Sequence, residues 1–131
     1  MVHNGVIENF EEVKARLQER GYSFRSETDT EVISNLLQYN YEKKADEKGA
    51  MIATLAELEG RYSFVAMFEN GVLAAARHHN PLVIGVGKDS YFLSSDVLGS
   101  SRPWTTRSIL KTGILSWLTG GCRSLTLAAG A

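Results

Sequence analysis

The chain has 131 residues, which is enough for one domain with a moderate hydrophobic core. A hydrophobic fraction of 44% and a charged fraction of 22% are typical of soluble globular proteins, and no apolar stretch reaches the roughly 18 residues of a membrane span. The formal net charge of −1 argues against a general nucleic-acid-binding protein, and the single cysteine, Cys122, excludes an internal disulfide and a cysteine metal cluster.

The N-terminal residues predict the end of a strand followed by a sharp turn. Val2 is typical of a strand, and His3-Asn4-Gly5 adds two residue types, Asn and Gly, that tolerate the left-handed backbone of tight turns. Because only two residues precede this turn, we expect the chain to begin partway through a larger domain. The first ten residues contain acidic side chains and no apolar run, so we expect a cytoplasmic location with no membrane contact.

Three helices are predicted in the first half of the chain. Asn9 and Glu12 have the spacing of a capping box, and Gly21 ends the first helix. The second helix starts at Thr28, with Glu31 as its capping partner. The side chains expected to face the core are Phe10, Val13 and Leu17 in the first helix, Val32, Ile33, Leu36 and Leu37 in the second, and Met51, Ile52, Leu55 and Leu58 in the third.

Two antiparallel hairpins are predicted after the helices. The first has strands over 61–68 and 72–77, joined at Asn70-Gly71, a dipeptide that strongly favours a two-residue hairpin turn. The second has strands over 82–86 and 91–94. Helices followed by antiparallel strands indicate the α+β class.

Two short segments carry polar groups suited to chemistry. Asn4-Gly5 offers a side-chain amide and a backbone N–H, which together suit an oxyanion hole, although a plain turn explains the same residues. Asp29 is placed to hold an ammonium group of a ligand or to cap a helix. His3 is expected to be a structural hydrogen-bonding residue rather than a general base. We expect no metal and no cofactor, because the adjacent pair His78-His79 has no third ligand at a suitable spacing.

Several motifs occur together and in order: HNGVIEN, RGYSF, SETDTEVI, LEGRYSFVAMF, AARHHNPLVIGVG and YFLSSDV. Over residues 2–99 the chain resembles the class II glutamine amidotransferase domain of the glucosamine-6-phosphate synthase family, whose members are glutamine–fructose-6-phosphate aminotransferases (isomerizing). Amidophosphoribosyltransferases share the His-Asn-Gly motif, but the other segments are more similar to the synthase. The resemblance implies a fragment of the four-layer α/β/β/α sandwich of the N-terminal-nucleophile (Ntn) hydrolases.

The resemblance also implies roles for three residues. Asn4, through its side-chain amide, and Gly5, through its backbone N–H, would form the oxyanion hole, and Asp29, helped by Gly5, would hold the α-amino group of glutamine. The family nucleophile is an N-terminal cysteine, and Cys122 lies in a segment without a family match. We therefore expect the catalytic nucleophile to be absent from this chain and the chain alone to be inactive.

The expected partners are glutamine and a sugar-phosphate isomerase domain in the full-length protein, with no nucleic acid, and the family forms homodimers. Two other functions stay open: a non-catalytic glutamine-binding module, and an amidotransferase domain that serves another acceptor such as phosphoribosyl pyrophosphate. All fifteen acidic residues precede Ser100. This change in composition, with the loss of strand periodicity, predicts a partial amidotransferase domain over 1–99 and a non-homologous tail over 100–131 that is translated out of frame.

Overall fold

The computed structural model describes residues 1–86, 91–95, 106–109, 113–118 and 126–128. The helices are α1 (Phe10–Glu19), α2 (Asp29–Lys44) and α3 (Glu47–Glu57). The strands are β1 (Val2–Ile7), β2 (Gly60–Met67), β3 (Val72–His78), β4 (Val83–Val86), β5 (Tyr91–Ser94), β6 (Thr106–Ile109), β7 (Gly113–Leu118) and β8 (Thr126–Ala128). The predicted α+β class is confirmed.

The described strands form two antiparallel sheets. The larger sheet has five strands in the order β1-β2-β3-β7-β8, and the smaller has three in the order β5-β4-β6. Both predicted hairpins are present as β2–β3 and β4–β5. Strands β6, β7 and β8 come from the segment after residue 99, and β7 pairs with β3.

Three layers follow from the alternation of side chains across the larger sheet. One face packs against the helices, with Phe64, Ala74 and Ala76 in the same buried cluster as helical side chains. The other face packs against the smaller sheet, where Ala75 and Ile84 belong to one buried cluster. The order helix, sheet, sheet therefore results from strands that bury both of their faces. In the described part of the chain, no helix combines the length and the apolar character needed to cross a membrane.

The predicted turn at His3-Asn4-Gly5 is wrong, because these residues lie inside β1. His3 pairs with Phe64, Asn4 with Ser63 and Gly5 with Tyr62 of β2. Gly5 has a φ of +124°, which only glycine adopts readily, and this conformation is used within a strand rather than at a turn.

The N-cap residues of α1 and α2 are those predicted from the sequence, but the predicted capping hydrogen bonds are not made. Asn9 is the N-cap residue of α1, but its side chain makes no capping hydrogen bond. Instead, Asn9 Nδ2 donates to Glu57 O at 2.9 Å and its Oδ1 accepts from Glu59 N at 3.0 Å, which ties α1 to the end of α3. Thr28 is the N-cap residue of α2, and the Glu31 carboxylate accepts from the backbone N–H groups of residues 25 and 26 rather than of Thr28.

The buried faces of α1 and α2 agree with the prediction, and α3 needs one correction. Ile52 is 47% exposed, whereas Ala50 and Thr54 are fully buried beside Met51. The small residues Ala50 and Thr54 therefore face the core, where Thr54 Oγ1 accepts from Asn40 Nδ2 of α2 at 3.2 Å. Helix α1 ends at Glu19, and Gly21, the predicted stop, has a φ of +88° that gives the left-handed turn after the helix.

Candidate functional site

The predicted site residues lie where the outer edge of β1 meets the first turn of α2. Asp29 is the first residue of α2, and its Oδ2 accepts a hydrogen bond from Ile7 N at 3.1 Å. In the described sheet β1 pairs only with β2, so its other side is an edge. The structure thus brings Asp29 to the strand that carries Asn4 and Gly5.

His3 connects the same two elements from inside the protein. Its side chain is only 3% exposed, and Nδ1 lies 3.0 Å from Thr30 Oγ1 and 3.6 Å from Asp29 Oδ1. Two oxygens face Nδ1, so the proton is assigned to that nitrogen, and Nε2 is left buried without a partner among the described residues. Burial lowers the pKa of His3, and the nearby Asp29 carboxylate opposes this in part. A neutral, hydrogen-bonded His3 agrees with the structural role expected from the sequence.

Gly5 is held in a position that has no space for a side chain. A Cβ at this position would lie 2.1 Å from Arg61 O, 2.5 Å from Asn80 Nδ2 and 2.7 Å from Tyr62 Cα. Two of these three atoms belong to the backbone of β2, which cannot move away cheaply. Close backbone approach, in addition to the positive φ, therefore requires glycine here.

Asn4 and Gly5 present their groups in different directions. Side chains alternate across a strand, so the Asn4 side chain lies on the face of the sheet opposite to His3. A cavity of about 80 Å³ is lined there by Asn4, Ser63, Leu82 and other residues of both sheets. Asn4 is therefore an exposed residue at the rim of this cavity, whereas Asp29 lies over the edge of β1.

Two polar residues near the site were missed by sequence reasoning. The hydroxyl of Thr30 is the hydrogen-bond partner of His3 Nδ1. Asn80 donates from Nδ2 to Asn4 O at 3.1 Å, although 76 positions separate Asn80 from Asn4. The dipeptide Asn80-Pro81 has the composition of a turn, and this is the only local signal that Asn80 carries. Its contact with β1 depends on the fold.

The structure also bears on the metal and nucleophile expectations. In residues 1–86 and the shorter described segments, no three His, Cys, Asp or Glu side chains are grouped so that they could hold a metal ion. His78 Nδ1 lies 2.6 Å from Gly60 O, and its ring packs against His79 with centroids 4.2 Å apart. Cys122 lies outside the described residues.

Comparison with known proteins identifies one family over most of the chain. A family model described as a glutamine amidotransferase domain matches residues 1–98. The glutamine–fructose-6-phosphate aminotransferase (isomerizing) of Streptomyces coelicolor is 48% identical over 99 residues, which are 74% of this chain and 16% of the relative. The enzyme of the same name from Methanothermobacter thermautotrophicus is 46% identical over 99 residues, with 74% and 17% covered.

Solved structures give the same fold. The glutamine phosphoribosylpyrophosphate amidotransferase of B. subtilis, complexed with ADP and GMP, has a TM-score of 0.74 and 25% identity, covering 99% of this chain and 28% of the other. A structure described as the allosteric regulatory enzyme of purine biosynthesis has a TM-score of 0.73 and 26% identity, covering 98% and 28%. The predicted fragment of an Ntn amidotransferase sandwich is confirmed. The chain spans only about a sixth of the length of the curated relatives above.

Proposed function

The chain belongs to the glutamine amidotransferase domain family, and we propose that it is the glutamine-binding part of an enzyme that transfers the amide nitrogen of glutamine to fructose 6-phosphate. The observation that carries this proposal is the Asp29 carboxylate held at the edge of β1 by the Ile7 N–H, two residues along the strand from Gly5. Fructose 6-phosphate is favoured over phosphoribosyl pyrophosphate because the more similar sequences carry the former name.

The spacing along β1 supports glutamine as the ligand. Ile7 N–H points to the outer side of the strand, where it meets Asp29, and Gly5 precedes it by two residues. Residues i and i+2 of a strand point the same way and lie about 7 Å apart. The amino nitrogen and carboxamide carbon of an extended glutamine are about 5 Å apart, given four bonds of ordinary length. With its ammonium on Asp29, a glutamine directs its side chain toward Gly5.

Each of the three residues has a distinct role in this proposal. Asp29 holds the α-amino group through a charge-assisted hydrogen bond, with Gly5 beside it. The Gly5 N–H stabilises the negative charge that develops on the carboxamide oxygen during attack. The exposed Asn4 side-chain amide is the second donor, and it must rotate from its own face of β1 to reach the same oxygen. We place the attacking cysteine outside the 131 residues, since Cys122 lies beyond the part that matches the family.

The remaining expectations stay proposals of the same kind. A sugar-phosphate isomerase domain would receive the released ammonia in a full-length, cytoplasmic, homodimeric protein. The segment over 100–131 would be an out-of-frame tail, which is supported by the end of the family match at residue 98 and by the absence of acidic residues after Asp96. The nucleotide sequence tests this: a single-base insertion near the codon of Gly99 must restore a family-like reading frame.

A titration with L-glutamine tests the proposed function. The ¹⁵N-labelled chain is followed by two-dimensional NMR, and we expect saturating shifts of the Gly5 and Ile7 amides. D-Glutamine is the matched control, because it carries the same groups with inverted stereochemistry. Equal responses to both enantiomers, or no response of β1 to L-glutamine, would contradict the proposal.

A further inference from the structure

We propose that Asn80 is a positioning residue, which holds the peptide between Asn4 and Gly5 and thereby directs the Gly5 N–H toward the outer edge of β1. This inference rests on the proposed function for the use of that N–H. The hydrogen bonds that carry it are independent of any ligand.

The Asn80 amide joins the two neighbouring strands at this point. Its Nδ2 lies 3.1 Å from Asn4 O on β1 and 3.3 Å from Arg61 O on β2. Both partners are carbonyl oxygens, so the NH2 end of the amide must face them, and its two N–H groups match two acceptors. Asn80 therefore bridges β1 and β2 at the residue pair Gly5–Tyr62.

Peptide geometry transmits this contact to the Gly5 N–H. The carbonyl of Asn4 and the N–H of Gly5 belong to one planar trans peptide, so they point in opposite directions. Because Asn4 O is held on the side of β2, the Gly5 N–H faces the opposite side, which is the edge where Asp29 lies. Gly5 itself adds no steric restraint, since it has no Cβ and a φ of +124°. The β1–β2 ladder, in which Asn4 pairs with Ser63, and the Asn80 amide therefore restrict this peptide together.

The loop after β3 is built to deliver Asn80 to this place. His78 Nδ1 contacts Gly60 O at 2.6 Å, and Asn80 N donates to His78 O at 2.8 Å. Between them, His79 has a left-handed φ of +63°, which is unfavourable for a residue with a side chain. Such a conformation persists where the surrounding contacts demand it, and it is concentrated at functional sites. The contacts here are those that hold Asn80 over β1 and β2.

Amide hydrogen exchange of the full 131-residue chain, resolved to single residues by mass spectrometry with electron-transfer fragmentation, tests the inference. Asn80→Asp keeps the shape of the side chain but replaces the NH2 group, which carries both donors, with one oxygen that faces two carbonyls. We expect exchange of the Ser63 amide, which faces Asn4 in the β1–β2 ladder, to rise about tenfold or more, while exchange in α2 is unchanged. Asn80→Ser keeps one donor and should restore part of the protection. Asn35→Asp is the matched control, because Asn35 Nδ2 also donates to a backbone carbonyl, Ser23 O, away from β1.

Glutamine separates this inference from the proposed function. In the unmodified chain, L-glutamine should slow exchange at Gly5, and Asn80→Asp should abolish this glutamine-dependent slowing, which a purely structural residue would not govern. If glutamine has no effect on the unmodified chain but Asn80→Asp still accelerates exchange at Ser63, the proposed function fails and the positioning of the peptide stands. Unchanged exchange at Ser63 in Asn80→Asp, equal acceleration over the whole chain, or glutamine-dependent slowing at Gly5 that survives in Asn80→Asp would overturn the inference.

Discussion

The backbone N–H of Ile7 donates to Asp29 Oδ2 at 3.1 Å, so the first residue of α2 is bonded to the last residue of β1. One carboxylate thus has a structural bond on one oxygen, while its other oxygen lies 3.6 Å from His3 Nδ1. A carboxylate has about four acceptor positions. Asp29 can therefore hold the helix against the strand and still accept from an ammonium group at the edge.

Replacing Asp29 by Asn separates these two tasks. Asn keeps an oxygen for Ile7 N–H but removes the charge, so we expect L-glutamine binding to weaken at least tenfold, which corresponds to about 1.5 kcal/mol or more for a charge-assisted bond. Stability should fall less than in Asp29→Ala. NMR titration and urea unfolding measure the two effects. Glu27→Gln is the control, because it removes a nearby acidic charge whose contact is with Lys14. Equal loss of binding in both variants would argue against Asp29 as the ammonium ligand.

Two glycine-to-alanine changes compare close packing with backbone strain alone. Gly5→Ala places a methyl group against the backbone of Arg61 and Tyr62, so we expect it to lower the free energy of unfolding by about 3 kcal/mol. Gly21 has a φ of +88°, but a Cβ added there would have nothing within 4 Å. Gly21→Ala should therefore lower the free energy of unfolding by only about 1 kcal/mol. Urea denaturation of both variants measures the difference. Similar losses in the two variants would show that the close approach at Gly5 is unimportant.

Stability should fall as the pH drops below the ordinary His pKa of 6.5, and His3 is the cause. Burial lowers the pKa of His3 in the folded chain, so below 6.5 the unfolded chain binds a proton that the folded chain does not yet accept. The stability that neutral His3 contributes is complete above pH 6.5 and is lost as the pH falls toward the pKa of His3 in the folded chain. His3→Gln should flatten this slope in urea unfolding at a series of pH values. His79→Gln, at an exposed position, should keep it.

Asn9→Asp distinguishes an N-cap from a tie between helices. Asp is as good as Asn at an N-cap, so a capping role predicts almost no effect. In the structure Asn9 Nδ2 donates to Glu57 O, and Asp cannot donate there. We expect a loss of about 1 to 3 kcal/mol in urea unfolding, because the carbonyl and the carboxylate are left facing each other. Asp46→Asn at the cap of α3, whose oxygen accepts from Gly49 N, should change stability by less than about 0.5 kcal/mol.

The purified 131-residue chain should bind glutamine without hydrolysing it. The oxyanion donors and the binding groups alone leave only a small residual rate when the nucleophile of a hydrolase is absent. An ammonia-release assay measures this, and Cys122→Ser tests the only cysteine of the chain. Release at an enzymatic rate that is lost in Asn4→Ala or in Cys122→Ser would show that the chain carries its own nucleophile.

Local sequence was sufficient for the three helices, the two predicted hairpins and the family. Apolar periodicity located the buried faces of α1 and α2, and Asn70-Gly71 located the first hairpin, because these signals act between residues a few positions apart. Ordered motifs such as SETDTEVI were enough to indicate the glutamine amidotransferase family, which the match over residues 1–98 confirms.

The tertiary structure decided the contacts between segments that are far apart in the sequence. The sequence predicts a turn at Asn4-Gly5, but pairing with β2 draws these residues into a strand, since the ladder satisfies backbone groups that a turn would leave to solvent. The side chain of Asn9 donates to the end of α3 instead of capping α1, and Asn80 bonds to Asn4 across 76 positions. Such contacts depend on which strands and helices become neighbours, and no short-range pattern of residue types encodes that.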